Sequence, residues 1–460
     1  MINTIIGVDI LKVNEVSELG SRGRHTTTSR ELIILPEGGM VIDTPGMREL
    51  QVWGDEEGLR QTFEDIEAIA SSHDLLLDLM VNHLSKDSEY FRDFLKNGRN
   101  SEYADLFITL DKFWKDGIPN TDDTNKMFLR RKEPFSTFRV GDTKEEIRVW
   151  TTFGRQDPSE QIDIDVRSER AKQLLTQFLI NFSKHNVKTV RLDAIGYVSK
   201  KPGTSCFFTE PLISEFIDWI SHQANLLNIE LLPEVHSHYS IQQKLSEKGH
   251  WIYDFILPYF ILETLINKSS GRLKSYLQSR PHKQFTMLDC HDGIPVKPDL
   301  DDLVSSDDAQ KTVEVCVERG ANLSLIFSDK HKSKDGFDVH QIRGTIYSLL
   351  NSDDDAYLAA RAIQFFTPGI PQVYYVGMLA GENDSENVLK TGEGREINRH
   401  NYSPDEINAA MQKNVVKRLV SLIKFRNNYQ AFGGIFSIAD TADNSIGLQW
   451  EKDSYSCKLS

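Results

Sequence analysis

Cysteine is scarce. Cys206, Cys290, Cys316 and Cys457 lie far apart with no CxxC or Cys/His spacing, which argues against a disulfide-stapled scaffold or a cysteine-held metal and leaves reduced thiols as the default. No apolar run is long enough to cross a membrane, and the opening MINTIIGVDILKVNEVSE lacks the basic start, apolar core and small-residue cleavage site of a signal peptide. A cytoplasmic location is expected. Positive charge is in deficit: 53 Lys and Arg face 68 Asp and Glu, for a net charge of −15. That field repels both a phosphate backbone and an anionic bilayer, so neither nucleic acid nor membrane is an expected partner. Internal repeats, low-complexity tracts and Pro-rich linkers are also missing, so domain boundaries must be read from pattern alone.

What is present is enough apolar material, 39% of 460 residues, for one large core or two to three smaller ones. From Asp74 onward, short apolar strands alternate with amphipathic helical stretches. The strand candidates are DLLLDLMV from Asp74, VKTVRLD ending at Asp193, IELLPEV from Ile229, WIYDFIL from Trp251, FTMLDC from Phe285 and IPQVYYV from Ile370. SERAKQLLTQFLINFSKH and TEPLISEFIDWISHQANLL carry apolar residues at three- and four-residue spacing and read as helices. This rhythm predicts an α/β fold, a (β/α)8-type barrel over residues 73–430, interrupted by long irregular inserts at about 84–165 and 293–351. Loops of that length inside compact domains are usually functional. Residues 1–72 follow another plan: ELIILPEGGMVID sets two strands around Glu37-Gly38-Gly39, a link too short for a parallel crossover, and so predicts an antiparallel hairpin.

Barrel sites are built at the carboxyl ends of the strands. Asp193 ends VKTVRLD, Glu234 ends IELLPE, and Asp292 follows FTMLDCH, so three strands deliver three carboxylates to one cleft. Retaining glycoside chemistry needs one carboxylate as nucleophile and a second, kept protonated by its surroundings, as acid, about 5 to 5.5 Å apart. Taken singly, each acid reads equally well as a helix cap or ion-pair partner. Arg191 lies two residues before Asp193 and so on the same side of the strand, where it can orient the nucleophile and keep it ionised. His83, at the end of DLMVNH, and His291, beside Asp292, are candidate donors to sugar hydroxyls.

DLMVNH, RLDAIGY, PEVHSHY and DCHDGIP, in that order, resemble the four sequence blocks of the α-amylase superfamily. TSCFF, WIYDFILP, AARAIQFFTPGIPQVYYVGMLAGEND and GREINRH resemble its sucrose phosphorylase branch over the span from Asp74 to the C-terminus. The resemblance implies Asp193 as a nucleophile forming a β-glucosyl ester, Glu234 as acid/base and Asp292 as transition-state stabiliser. It places His83, Arg191, His291 and Arg395 around the glucose, with inorganic phosphate replacing water as acceptor. No organic cofactor and no metal is implied.

Two acceptor loops differ from the branch's usual pattern. His340 stands in Phe337-Asp338-Val339-His340-Gln341 where a tyrosine is usual, and Arg130 in Leu129-Arg130-Arg131 where a proline is usual. Both changes resemble phosphorylases of sucrose 6′-phosphate, in which such an arginine and histidine hold the fructosyl phosphate; Arg130 can do so bidentately. Arg131 and His340 would also suit the attacking phosphate, and Asp338 and Gln341 complete the expected substrate contacts. The implied reaction gives α-glucose 1-phosphate and fructose 6-phosphate with retention. Sucrose itself or a glucosylglycerate-type sugar is the alternative donor, and Arg130-Arg131-Lys132 also reads as a solvated basic loop.

GRHTTTSRELIILPEGGMVIDTPGMRELQVW resembles circularly permuted ribosome-assembly GTPases, whose threonines, here Thr26 to Thr28, help hold magnesium and whose Asp43-Thr44-Pro45-Gly46 senses the γ-phosphate. The GxxxxGK[ST] loop that cradles phosphate is not in this sequence, nor is the guanine-reading Asn-Lys-x-Asp, so GTP binding is not expected. Against the phosphorylase pattern, two βα units before DLLLDLMV are missing, with the acidic and aromatic residues that would face Arg395, and residues 431–460 read as only the start of a C-terminal β domain. Both ends look cut, as in a fusion. A barrel short of two strands is expected to carry unpaired edges that the hairpin cannot close in register, which leaves an inactive fusion product, or a ribosome-assembly GTPase fragment, as the competing readings.

Overall fold

The structure, a computed structural model, describes residues 70–71, 73–141, 145–326, 332 and 335–460, and the backbone of Glu31–Ile34 and Met40–Asp43. Three parallel strands, Leu75–Met80, Val187–Asp193 and Glu230–Pro233, form one arc of the barrel. Ile252–Asp254, Gln284–Thr286 and Ile370–Pro371 form the next, and Trp251 N donates to Leu231 O at 3.2 Å across the seam between them. Two strands of the second arc are shorter than expected: WIYDFIL turns helical at Leu257, and FTMLDC leaves the sheet after Thr286. Asp254 explains the first, because its carboxylate accepts the Leu257 amide at 3.0 Å and caps the helix start.

Helix Glu169–Lys184 shows how local sequence sets the outer layer. Ser168 accepts the Ala171 amide at 3.1 Å, Glu169 sits in the first turn and Lys184 in the last, complementing the helix dipole. Leu175 and Leu179 are fully buried on its inner face, each contributing about 1.5–3 kcal/mol. Helix Leu212–Leu226 packs beside it and buries Ile213, Ile217 and Ile220. A second core lies under helices Leu257–Asn267, Asp354–Phe366 and Asn414–Asn428. The C-terminal antiparallel strands Ile435–Ala439, Gly447–Lys452 and Tyr455–Leu459 close over it, tied by Trp450 Nε1 donating to Phe366 O at 2.7 Å.

The inserts are not irregular, contrary to the sequence expectation. The first holds helix Glu89–Asn97 and the hairpin Phe135–Arg139/Glu146–Trp150 around the edge-to-face and tilted rings of Phe91, Phe94, Phe107 and Phe138. The second holds helix Ser306–Glu318 and an antiparallel sheet of Ile294–Pro295, Val339–Arg343 and Asn322–Leu325. Their aromatic and β-branched residues alternate over stretches too short to show a period in sequence.

The N-terminal hairpin forms as expected, Glu31 pairing with Asp43 and Ile34 with Met40. Its relation to the barrel corrects the expectation of two open edges. Met40–Asp43 runs parallel to Val373–Tyr374, with Val41 opposite Val373 and Ile42 opposite Tyr374. One barrel edge is thereby paired, because backbone N–H and C=O groups accept any extended segment of suitable direction. Among the described residues no ladder joins Glu31–Ile34 to Leu75–Met80. Thr26 to Thr28 and Thr44 to Gly46 lie outside the described residues.

Candidate active site

Arg191 is the hub. It lies directly across from Asp78 in the register of the two strands, and its Nη1 contacts Asp78 Oδ2 at 2.9 Å and Asp193 Oδ1 at 2.8 Å. Its Nη2 meets Glu234 Oε1 at 2.6 Å. Asp193 and Glu234 therefore share one guanidinium. Burial opposes the arginine's charge, but Glu234 and Asp193 beside it raise its pKa above the ordinary value. Ala194, just past the strand, takes a left-handed φ of 54°, a costly conformation for a residue with a Cβ. That turn aims its amide at Glu234 Oε2, 3.2 Å away.

Asp292 reaches the cluster from a loop six residues past Thr286. Asn398 Nδ2 donates to the backbone oxygens of Cys290 and Asp292 at 2.9 and 3.1 Å, and Arg399 contacts Asp292 Oδ1 at 3.3 Å. Single donor atoms of Glu234, His236 and Asp292 all lie within 4.8 Å of one another. Arg191 and Arg399 already neutralise these carboxylates, so a bound cation there would have to displace them. Burial pushes Asp292 up, yet His291, its Nε2 3.5 Å away, and Arg399 hold it well below the usual carboxylate range.

One sequence expectation reverses here. Glu234 was expected to be kept protonated by its surroundings. Burial does push in that direction, but Arg191 and the imidazole of His236, 3.7 Å away, hold its carboxyl well below the ordinary value. A guanidinium at contact distance outweighs desolvation.

The acceptor side is cationic. Arg130 Nη1 lies 3.5 Å from His340 Nε2, although the residues come from different inserts 210 positions apart. His340 Nδ1 faces the Lys297 carbonyl at 2.7 Å; a carbonyl only accepts, so Nδ1 carries the hydrogen and Nε2 is the free lone pair. Burial and Arg130 lower this imidazole's pKa to about 4. Arg130 borders a recess lined also by Phe128, Trp150 and Tyr197. Gln341 lies beside Gly293, its Cβ close to where a side chain at 293 would start.

Arg131 lines the same recess as Arg130. Arg131 bonds Ser136, Thr151 and the carbonyls of Phe153 and Gln156, which commits it to holding the first insert together and argues against a role on the attacking phosphate. The half-buried Asp338 accepts the Ile326 amide through its backbone oxygen. His83 is buried against Phe153, ring centres 5.6 Å apart. Arg395 is half-buried near Arg399 and Asp292, and its Nε finds no acceptor among the described residues.

Sequence reasoning missed Asp78, His236, Asp299 and Arg399. Asp78 was legible as an acid facing an arginine on a neighbouring apolar strand. Arg399 stands in the same GREINRH run as Arg395.

A barrel with acids at strand ends and a cationic acceptor rim defines a glycoside-transferring (β/α)-barrel enzyme. The α-amylase catalytic-domain family model matches residues 51–239, and an RsgA GTPase model matches residues 1–53. Sucrose 6(F)-phosphate phosphorylase of Thermoanaerobacterium thermosaccharolyticum is 63% identical over 398 residues, covering 86% of this chain and 82% of that protein. Glucosylglycerol phosphorylase of Marinobacter adhaerens is 42% identical, covering 86% and 81%. The crystal structure of the sucrose 6F-phosphate phosphorylase from Thermoanaerobacter thermosaccharolyticum superposes with a TM-score of 0.85 at 63% identity, over 86% of this chain and 81% of that one. The chain belongs to the sucrose phosphorylase branch of the α-amylase superfamily.

Proposed function

We propose that this chain transfers a glucosyl unit from sucrose 6′-phosphate to inorganic phosphate, with retention, giving α-D-glucose 1-phosphate and fructose 6-phosphate. The observation that carries the choice of donor is the Arg130–His340 pair, 3.5 Å apart on the acceptor rim. A neutral donor has no use for an arginine set against a neutral imidazole, whereas a phosphate dianion charges the imidazole and binds both. The 63% identical relative named for this reaction supports the same reading.

Asp193, paired with Arg191 at 2.8 Å, attacks the anomeric carbon and forms a β-glucosyl ester as the fructosyl oxygen leaves. Glu234 supplies the proton to that oxygen. Asp292, an anion, stabilises the positive charge developing on the ring. Phosphate then attacks the ester carbon from the face the fructosyl group vacated, and two inversions give net retention. His83, His291 and Arg395 serve the glucosyl unit, and Gln341 with Asp338 the acceptor. Small sugars and phosphate are the partners, without nucleic acid or membrane; among the described residues no helix is long and apolar enough to cross one. A cytoplasmic setting accords with the three buried thiols Cys206, Cys290 and Cys316.

The test is α-glucose 1-phosphate release by the full chain with phosphate and either sucrose 6′-phosphate or sucrose, and Asp193→Asn as control. Preference for the phosphorylated sugar, lost in the control, supports the proposal. Equal use of both sugars overturns the donor assignment, and no release from either overturns the activity.

A further inference from the structure

Glu234 must donate a proton, yet Arg191 keeps it ionised. A proton source lies behind it. His236 Nε2 is 3.7 Å from Glu234 Oε1, and His236 Nδ1 is 4.0 Å from Asp299 Oδ1. Both gaps are within roughly 1 Å of hydrogen-bond range. The imidazole is clamped edge-on to both acids by stacking on Phe255, ring centres 4.0 Å apart and planes 26° apart. Asp299 is fully buried, and neither of its carboxyl oxygens, nor His236 Nδ1, has a hydrogen-bond partner of ordinary geometry among the described residues. The backbone amides of Asp299 and Ser237 approach it without ordinary hydrogen-bond geometry, and a carboxyl so poorly partnered in the interior is expensive unless it is neutral or serves a purpose.

We propose that Asp299 and His236 form a proton store and relay for Glu234. Asp299 passes its proton to His236 Nδ1 as the Nε2 proton moves to Glu234 Oε1. The dyad holds one extra proton, drawn onto the imidazole, against its burial, by Glu234, Asp299 and Asp292 and onto Asp299 by burial; once Nε2–H has passed to Glu234, a neutral imidazole protonated at Nδ1 faces the Asp299 carboxylate and Glu234 is the carboxylic acid. Glu234 then gives that proton to the departing oxygen. In the second half-reaction the proton of attacking hydrogen phosphate returns along the same line, so the store is refilled once per turnover. Burial pushes Asp299 up to about 7 against the pull of His236, which suits a store working near neutrality. His236 also faces Asp292 and lies in the field of His340, and Asp299 has Asp301 nearby; both acids favour a proton on the dyad. Asp299 touches no substrate on this account and is a positioning residue acting through His236.

The inference rests on the proposed phosphorolysis, and the test separates the two. For wild type and Asp299→Asn, kcat/KM for the donor is measured against pH with sucrose 6′-phosphate and with α-glucosyl fluoride, whose leaving group needs no proton. The relay requires a loss of roughly tenfold or more with the sugar phosphate and a loss of its alkaline limb near neutrality, with the fluoride unchanged within about twofold. Equal losses on both donors, or none on either, overturn it. Should Asp299→Asn not fold, the wild type alone decides: an alkaline limb with sucrose 6′-phosphate that is missing with the fluoride supports the relay, and identical profiles overturn it. A wild type that forms glucose 1-phosphate from neither donor overturns the phosphorolysis and the relay with it; fluoride turnover alone overturns only the assigned natural donor and, through it, the relay.

Discussion

Arg191 Nη2 and Glu234 Oε1 meet at 2.6 Å where the guanidinium side chain is 6% and the carboxylate 12% exposed. A buried cation with three acidic partners is a structural commitment as well as a catalytic one. Removing it strands three carboxylates in low dielectric.

Arg191→Met is therefore expected to destabilise the chain by about 3–5 kcal/mol and to abolish turnover. Thermal unfolding followed by circular dichroism checks the first. A variant as stable as wild type would show that Asp78, Asp193 and Glu234 neutralise themselves by taking up protons.

The depressed acidity of Glu234 sets a pH dependence with a definite sign. Its folded pKa lies below the ordinary 4.5, so its stabilising contribution is present above about that pH and is lost as pH falls through the lower folded value. Glu234→Gln should flatten the acid limb of the stability curve. Denaturant midpoints from pH 7 down to the acid transition would reveal it, and superimposable slopes for both proteins would refute it.

His340, with its pKa lowered to about 4 by burial and Arg130, is neutral at pH 7 in the resting protein. Binding a phosphorylated donor should raise it and draw a proton from solution. Calorimetry in buffers of different ionisation enthalpy should detect uptake for sucrose 6′-phosphate and none for sucrose. Arg130→Ala should weaken binding of the phosphorylated donor by about 1.5–3 kcal/mol and leave sucrose nearly untouched.

The pairing of Met40–Asp43 with Val373–Tyr374 should protect backbone amides on the barrel edge. Hydrogen exchange at residues 373–374 is expected to be slow in the full chain and roughly tenfold or more faster in a chain lacking residues 31–43. Equal rates would show that the hairpin does not pair there.

The barrel was legible because its strands are apolar and its helices amphipathic, and both periods survive in one dimension. Asp193 and Glu234 could be picked out for the same reason: a charge that ends an apolar strand has one place to go. Asp292 was picked out by the same strand-end reading, although its strand stops at Thr286 and a loop delivers it. The inserts were misread because their elements are stabilised by contacts between distant segments, such as His83–Ser85 with Gln161–Asp163.

Sequence by itself determined the barrel plan, the three carboxylates, and Arg191 beside Asp193, all set by local pattern. Tertiary structure alone decided that Asp78 completes the Arg191 clamp, that Glu234 rests ionised, that Arg131 is tied to the first insert while Arg130 meets His340, and that Asp299 lies behind His236. Protonation and pairing depend on which charges come within a few ångströms of one another, and that distance is fixed by strand register and by inserts folding back, neither of which is a property of any local stretch of chain.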